Sequence, residues 1–159
     1  MSPELDKKLC EKYPKIFSLR YGDMKDTAMC WGFEHDDGWY NIIDRLCANI
    51  QHHIDWTHKS HAWDLDWNEK NPNKLREIRE PVTQVVAEQV KEKFGTLRFY
   101  YDGGDDYVRG LVSMAESMTE VTCEKCGKPG KIRGGGWVYT ACDEHTRPED
   151  LENEDQTSQ

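Results

Sequence analysis

Two pairs of metal-binding residues near the C-terminus constrain this chain more than any other feature. Cys123 and Cys126 are separated by two residues, and Cys142 and His145, fifteen residues further on, have the same separation. Paired soft ligands joined by a connecting segment are the usual sequence form of a structural zinc site. The segment is too rich in glycine and charge to bury a core of its own, so it needs a metal ion to become ordered. We therefore predict one structural Zn²⁺ ion in a zinc-ribbon-like unit.

The same spacing argues against a catalytic metal. Catalytic zinc keeps one coordination position open for water or substrate, whereas four protein ligands fill a tetrahedron. The remaining cysteines, Cys10, Cys30 and Cys47, have apolar neighbours. We expect them to be small buried residues rather than ligands or nucleophiles.

Charge narrows the classes of partner. The 159 residues carry a formal net charge of −9, so we expect no general attraction to nucleic acid or to anionic membranes. The chain contains no apolar run of membrane-spanning length, and its polar, acidic N-terminus does not have the form of a signal peptide. We expect a cytoplasmic protein whose thiols stay reduced or bind metal.

Apolar periodicity predicts an α+β fold, with a small antiparallel sheet or hairpin packed by two main helices. In the first strand of the hairpin we expect Val82, Val86 and Val90 on one face and Val85 and Ala87 on the other. Gly95 is expected to supply a left-handed residue at the turn. The predicted elements are helices over 3–13, 39–56 and 105–119 and strands over 30–33, 82–91 and 96–102.

The chain divides into three predicted regions. Residues 1–120 form the α+β domain, 121–145 the zinc-ribbon-like subdomain and 146–159 an acidic disordered tail. Within the first region, residues 57–80 are polar and contain several tryptophans, which predicts an irregular but ordered loop. One short helical turn is expected over 74–79.

Two polar clusters offer metal-binding or catalytic alternatives. His52, His53, His58 and His61, with nearby aspartates, could form a second metal site, but without a recognised ligand spacing a polar helix end and solvated loop is the favoured interpretation. The second cluster is Asp102, Asp105 and Asp106. We favour helix capping for these residues, at the start of the 105–119 helix, and catalysis by their carboxylates is the alternative.

Basic and aromatic residues are concentrated between positions 91 and 109 of this acidic chain. Cations beside flat rings suit a nucleotide, through charge pairing with phosphate and stacking on the base. An ordinary solvated strand face is the simpler interpretation and the one we favour. If a nucleotide is the ligand, the candidate binding residues are Lys91, Lys93, Arg98, Tyr100 and Arg109.

Three stretches of the chain carry a family resemblance. These are the run Gln-Val-Lys-Glu-Lys-Phe-Gly-Thr-Leu-Arg-Phe-Tyr-Tyr at 89–101, Asp-Gly-Trp-Tyr at 37–40, and the ending Cys-x2-Cys-Gly with Gly-Gly-Trp-Val-x-Thr-x-Cys-x2-His. Over most of residues 1–145 the chain resembles a family of small proteins encoded by tailed phages and prophages. The resemblance implies expression inside an infected or lysogenic bacterium, where accessory proteins of this size often bind a host component.

Three functional hypotheses follow. The leading one is a non-catalytic binding protein that sequesters a host component, either a host protein or a small nucleotide defence signal, and so acts in counter-defence. The second is a metal-dependent hydrolase or nuclease that uses the Asp102–Asp106 carboxylates and the histidine cluster. The third is an inhibitor of a host DNA-binding enzyme whose acidic tail imitates phosphate. Whether the chain forms a homo-oligomer stays open.

Overall fold

A computed structural model describes residues 1–134 and 136–150 and has the predicted α+β architecture. Strands β1 to β3 form a mixed sheet in that order, with β1 parallel and β3 antiparallel to β2, and β4 pairs with β5 in a second sheet. No helix in the described residues is both long and apolar enough to cross a bilayer. The elements are α1 (Pro3–Lys12), β1 (Phe33–Glu34), α2 (Tyr40–Lys70), β2 (Val86–Lys93), β3 (Thr96–Asp102), α3 (Asp106–Thr119), β4 (Lys131–Arg133) and β5 (Tyr139–Ala141), with 3-10 turns at Ala28–Trp31, Asp37–Trp39 and Asp143–His145.

One apolar core joins α1, α2, α3 and the three-stranded sheet. The first half of α2 contributes residues at helical spacing, including Ile43, Leu46, Ile50 and Ile54, because these positions form one face of the helix. Trp39 precedes α2 and is fully buried. Its indole N–H donates to the Thr122 carbonyl oxygen at 2.9 Å, so the largest core side chain also reaches the C-terminal part of the chain.

The β2–β3 hairpin turns at Phe94 and Gly95, whose φ angles are 55° and 79°. Two successive left-handed residues are typical of a type I′ turn, which confirms the predicted role of Gly95. The predicted faces of β2 are wrong, because a β-bulge between Ala87 and Gln89 shifts the alternation of side chains. Val85, Ala87 and Val90 are therefore all buried in the core, whereas Val86 is half-buried.

Helix α3 covers the free edge of β3. The Leu97 N–H donates to Thr119 Oγ1 at 3.0 Å, and the Phe99 N–H donates to Glu116 Oε1 at 3.0 Å. An uncovered strand edge exposes a row of unpaired backbone groups to association with other chains. Two side chains of α3 therefore accept hydrogen bonds from backbone N–H groups along that edge. The outward face of the sheet is a separate surface, which α3 does not cover.

The predicted loop at 57–80 is wrong, because α2 continues to Lys70 and the chain then returns along it. Side chains of α2 bind the backbone of this return segment (residues 71–85), which is why it needs no regular structure of its own. The predicted turn over 74–79 is absent from this described stretch. The contacts run antiparallel to the helix: Trp67 Nε1 to Lys74 O at 3.1 Å, Asn68 Oδ1 to Arg76 N at 2.7 Å, His61 Nδ1 to Arg79 O at 2.8 Å and Thr57 Oγ1 to Val82 N at 3.0 Å.

The predicted strand over 30–33 begins later than expected. Thr27 Oγ1 accepts from the Met29 N–H at 3.0 Å and caps the 3-10 turn, and Gly32, with a φ of 79°, ends it. Only Phe33 of the predicted residues joins β1, because the side-chain cap offers the backbone an alternative to pairing.

Burial of His35 predicts an acid-sensitive fold. Burial lowers the pKa of His35 to about 4; Nδ1 donates to the Asp36 carbonyl oxygen at 2.7 Å, and Nε2 has no partner among the described residues. The unfolded chain therefore binds more protons between pH 6.5 and 4, and unfolding free energy should fall by about 3 kcal/mol as the pH drops through this range.

Urea titrations at each pH measure this loss. His35→Phe serves as the matched variant, and the difference in unfolding free energy between the two proteins isolates the contribution of this histidine. An identical pH dependence in both proteins would contradict the prediction.

Candidate metal centre

The four predicted ligands converge on one point. The ligand atoms of Cys123, Cys126, Cys142 and His145 all lie within 4.8 Å of one another, so together they can hold a metal ion. Cys126 Sγ and Cys142 Sγ are 3.7 Å apart, well beyond the length of about 2.05 Å of a disulfide bond. His145 Nδ1 lies 3.5 Å from Cys123 Sγ and 3.3 Å from Cys142 Sγ, which identifies Nδ1 as the atom that faces the centre.

The first ligand pair lies in a tight backbone turn. The Gly127 N–H donates to the Cys123 carbonyl oxygen at 2.9 Å, and the Cys123 N–H donates to the Lys128 carbonyl oxygen at 2.8 Å. Gly127 adopts a φ of 73°, a conformation that glycine adopts without steric cost. The backbone N–H groups of Lys125 and Cys126 in this turn point at the Cys123 sulfur, which prepares it to bind a cation.

The electrostatics of Cys123 favour a thiolate. The side chain is fully buried, and burial alone raises the pKa of a thiol. Backbone hydrogen bonds from Cys142, Cys126 and Lys125 outweigh that effect and lower the pKa of Cys123 to about 6. A thiolate is the form of cysteine that binds metal, so this residue is already in its ligating state at neutral pH.

The second ligand pair is held by a buried arginine. Strand β5 delivers Cys142, and a 3-10 turn over Asp143–His145 brings the histidine back toward it, with the His145 N–H donating to the Cys142 carbonyl oxygen at 3.0 Å. Arg133 of β4 lies beneath this turn. Its Nε donates to the Ala141 carbonyl oxygen at 3.1 Å, and its guanidinium also pairs with Asp143.

Close backbone contacts fix the C-terminal metal unit (residues 121–145) to the main core. The Gly38 N–H donates to the Glu124 carbonyl oxygen at 2.7 Å. A Cβ atom at Gly38 would lie 2.2 Å from the Cys123 carbonyl oxygen, so only glycine fits there. On the other side, Thr140 Oγ1 donates to the Gly95 carbonyl oxygen at 2.6 Å. The metal unit therefore bridges the start of α2 and the tip of the β2–β3 hairpin.

The predicted acidic tail is anchored at its beginning. The Arg147 N–H donates to the Tyr139 hydroxyl at 2.9 Å, and that hydroxyl donates to Asp150 Oδ2 at 2.7 Å. Residues 146–150 thus pack on the metal unit. The rest of the predicted tail, and with it the proposed phosphate imitation, lies outside the described residues.

Four of the five predicted nucleotide-binding residues share one surface. Lys91 pairs across the hairpin with Arg98, Lys93 with Thr96, and Gln89 with Tyr100, which places Lys91, Lys93, Arg98 and Tyr100 on the outward face of the sheet. The Lys91 ammonium lies 5.7 Å from the centre of the Tyr100 ring. We call these four residues the basic sheet face.

Arg109 does not belong to this surface. It lies on α3 and pairs with Asp106 at 2.7 Å. Its charge acts on Tyr101, which projects from the opposite side of β3 to Tyr100. A single ligand on the basic sheet face would therefore not be expected to contact Arg109.

The histidine cluster serves mainly to hold the return segment. His58 Nε2 and His61 Nδ1 lie 3.1 and 2.8 Å from carbonyl oxygens of that segment, so their hydrogen bonds go to backbone rather than to a shared ion. Within residues 1–134 and 136–150, the group with ligand atoms close enough for a metal ion is the C-terminal one. The predicted polar helix end and solvated loop are wrong, because α2 continues to Lys70 and all four histidines lie within it.

Asp105 caps α3 as predicted and has a partner that the sequence did not indicate. Its Oδ1 accepts from the Val108 N–H at 3.0 Å, and its Oδ2 lies 2.9 Å from His53 Nε2. Burial raises the pKa of Asp105, but the His53 contact and backbone hydrogen bonds outweigh burial, so the pKa lies below its usual value. The pair borders a groove of about 560 Å³ between α2 and the return segment.

Sequence reasoning missed three residues that shape the centre and its surroundings. Arg133 and Gly38 position the metal unit, but a lone arginine and a turn glycine have no spacing that identifies such roles. Phe94 occupies the left-handed first position of the hairpin turn, where its aromatic ring is 71% exposed. The sequence signal was available, since a phenylalanine before glycine is unusual at a type I′ turn.

Compared with protein-family models, with curated proteins and with solved structures, the chain has no significant match.

Proposed function

We propose that the metal held by the Cys3His group is a structural zinc ion. Zinc–sulfur bonds of about 2.3 Å and zinc–nitrogen bonds of about 2.0 Å in a tetrahedron place sulfur atoms about 3.8 Å apart and sulfur from nitrogen about 3.5 Å apart. The sulfur–sulfur distance of 3.7 Å and the sulfur–nitrogen distances of 3.5 and 3.3 Å support this assignment. Four protein ligands leave no position for a reacting water.

We further propose that the protein is a non-catalytic binding protein that acts through the basic sheet face. The observation that carries the proposal is that three cations and a tyrosine share one outward surface of a chain with net charge −9. Glu34 lies beside Lys91 in the parallel register and accepts from the Gln89 amide at 2.9 Å, so its one negative charge offsets only part of the three positive charges. Excess positive charge on one face of an acidic protein favours an anionic partner by electrostatic complementarity.

The shape of this face supports a macromolecular partner over a free nucleotide. The four residues lie on an open sheet, with Tyr100 41% exposed, whereas small-molecule sites are usually concave and enclose most of the ligand. A host protein with an acidic surface is therefore the component that we propose is sequestered. The resemblance to phage accessory proteins supports the same kind of role, and a nucleotide signal becomes an alternative for the experiment to decide.

Charge reversal on the basic sheet face tests the proposal. We expect the double variant Lys91→Glu/Arg98→Glu to lose at least about tenfold in retention of its partner from a bacterial lysate. The reason is that two cations become anions, which repel an acidic partner. The matched control is Lys25→Glu/Lys59→Glu, which makes the same change in net charge at exposed positions elsewhere. Quantitative mass spectrometry of the captured proteins gives the measurement.

Two outcomes would overturn the proposal. Equal retention by both double variants would exclude the basic sheet face as the binding surface. Alternatively, heating the purified protein could release an intact nucleotide that the face variant lacks, which would favour the small-molecule ligand instead.

The metal-dependent hydrolase remains the second candidate because of the His53–Asp105 pair. The two side chains are 2.9 Å apart at the edge of the groove beneath the return segment, and a carboxylate can orient an imidazole for general-base catalysis. Asp106, in contrast, is paired with Arg109. Release of a cleaved rather than an intact ligand on heating would favour this alternative.

A further inference from the structure

We infer that the hairpin tip is the specificity pocket of the binding surface and takes a bulky apolar residue from an acidic segment of the partner protein. The pocket, which we call the tip cleft, lies between Phe94 of the β2–β3 turn and Trp137 and Val138 of the metal unit. This inference rests on the proposed function, because it names the chemistry of the partner that the basic sheet face would bind.

The conformation of Phe94 is the first observation. Its φ of 55° lies in the left-handed region, which a residue with a Cβ atom adopts only at a cost, and the turn type favours Asn, Asp or Gly at this position. The ring is also 71% exposed, so the side chain gains little from the core. Folding alone would thus favour another residue here, and strained residues of this kind are concentrated at binding sites.

The opposite wall of the tip cleft is also an exposed aromatic residue. Trp137 is 70% exposed, and Val138 beside it is half-buried. Together with Phe94 they border a cleft of about 490 Å³, within the range of ligand-binding clefts. Exposed aromatic pairs that flank a cleft are typical of the anchor sites of protein interfaces.

Backbone contacts keep the two walls in place. The Thr140 hydroxyl donates to the Gly95 carbonyl oxygen at 2.6 Å, directly behind the turn. A Cβ atom at Gly95 would lie 3.2 Å from the backbone of Tyr139, so the hairpin and β5 are in close contact. The tip cleft is therefore preformed, and it exists only while the metal unit stays folded against the hairpin.

The charge around the tip cleft determines the partner chemistry. The Lys93 ammonium lies 5.5 Å from the centre of the Phe94 ring, and the Lys91–Arg98 pair follows two residues further along the strands, about 7 Å away. Glu92 also borders the cleft and keeps its negative charge while it accepts from the Gly95 N–H at 2.6 Å, but the three cations outnumber it. An anchor residue flanked by Asp or Glu at nearby positions would pair with these cations.

Selection from a displayed random peptide library tests the inference on the full-length, zinc-loaded protein. We expect the wild type to enrich peptides with a bulky apolar residue flanked by acids. Phe94→Asn should keep the acidic preference but lose at least about tenfold in affinity for the selected peptides, because one wall of the cleft is removed. Its melting temperature should equal or exceed that of the wild type, since Asn suits the turn.

A second variant and a measurement of the oligomeric state separate the possible failures. Trp137→Ser removes the other wall without changing the hairpin turn and should give the same loss of affinity. Unchanged affinity in both variants, with acidic peptides still selected, would overturn the tip cleft and leave the basic sheet face standing. Absence of acidic enrichment in the wild type would overturn both. A wild-type dimer that Phe94→Asn converts to a monomer would show that a second copy occupies the cleft instead.

Discussion

Replacing Cys123 by serine is expected to abolish stoichiometric zinc binding and to unfold the metal unit while the main core survives. Cys123 is the fully buried ligand, and three backbone hydrogen bonds stabilise its thiolate. Structural zinc contributes about 10–16 kcal/mol of binding free energy in small zinc-binding units, which is folding free energy when the unit has little core of its own. Among the described residues of the metal unit, the buried apolar cluster consists of Cys123, Ala141 and Cys142, with the half-buried Tyr139 packed against it.

Elemental analysis and hydrogen exchange check this result together. Zinc content should fall from one per chain to near zero, and amide protection should be lost over residues 121–145 but kept in α1 and in the first half of α2. Cys30→Ser is the matched control, because Cys30 is half-buried and far from the ligand group in sequence. A Cys123→Ser protein that retains one zinc and normal protection would contradict the prediction.

Gly38→Ala is expected to separate the metal unit from the core without removing a ligand. The added methyl would lie 2.2 Å from the Cys123 carbonyl oxygen and about as close to two other backbone atoms of the metal unit, so the two parts must move apart. Overpacking against backbone typically costs 1–3 kcal/mol and occasionally more, and we expect a loss of about 3 kcal/mol in unfolding free energy.

Urea unfolding and zinc analysis of the same sample measure the two consequences. Zinc content should remain at one per chain, since the ligands are unchanged, whereas exchange protection at the hairpin tip should fall. Gly110→Ala is the control: beyond the neighbouring backbone of its own helix, nothing lies within 4 Å of the added methyl, and the change should stabilise α3 by about 1 kcal/mol. Equal stabilities of Gly38→Ala and the wild type would show that this close contact does not hold the metal unit.

The metal ligands could be predicted from the sequence because coordination imposes a local spacing. Cys123 and Cys126 must lie on one turn, and so must Cys142 and His145, which leaves a pattern that survives without any knowledge of the tertiary structure. The contacts that orient this unit could not be predicted. Gly38 and Gly95 approach it through backbone atoms, and such contacts between distant parts of the chain have no periodic signal.

The α+β class and the order of the main elements followed from apolar periodicity, but the end of α2 did not. After Ile54 no residue of α2 is buried, and Trp56 and Trp63 are each more than half exposed, so the apolar pattern disappears while the helix continues. The second half is held by polar side chains that bind the return segment. Because these partners are backbone groups, neither side of the contact has a composition that identifies it.

The faces of β2 were misjudged for a different reason. One extra residue near Glu88 shifts every following side chain to the other face, and the two-residue period has no means of indicating where a bulge occurs. By contrast, β3 has no bulge, and its buried residues Leu97 and Phe99 alternate regularly with Arg98 and Tyr100. Because β3 is regular, its sequence places Arg98 and Tyr100 on the same face, which is the part of the basic sheet face that β3 contributes.

Zinc-edge X-ray absorption of the protein, purified without chelator, is the most direct test of the central assignment. Three sulfur atoms at about 2.3 Å and one nitrogen at about 2.0 Å are the expected first coordination shell. A shell of oxygen and nitrogen without sulfur, or protein that contains no zinc at all, would contradict the zinc assignment and remove the support that holds the hairpin tip.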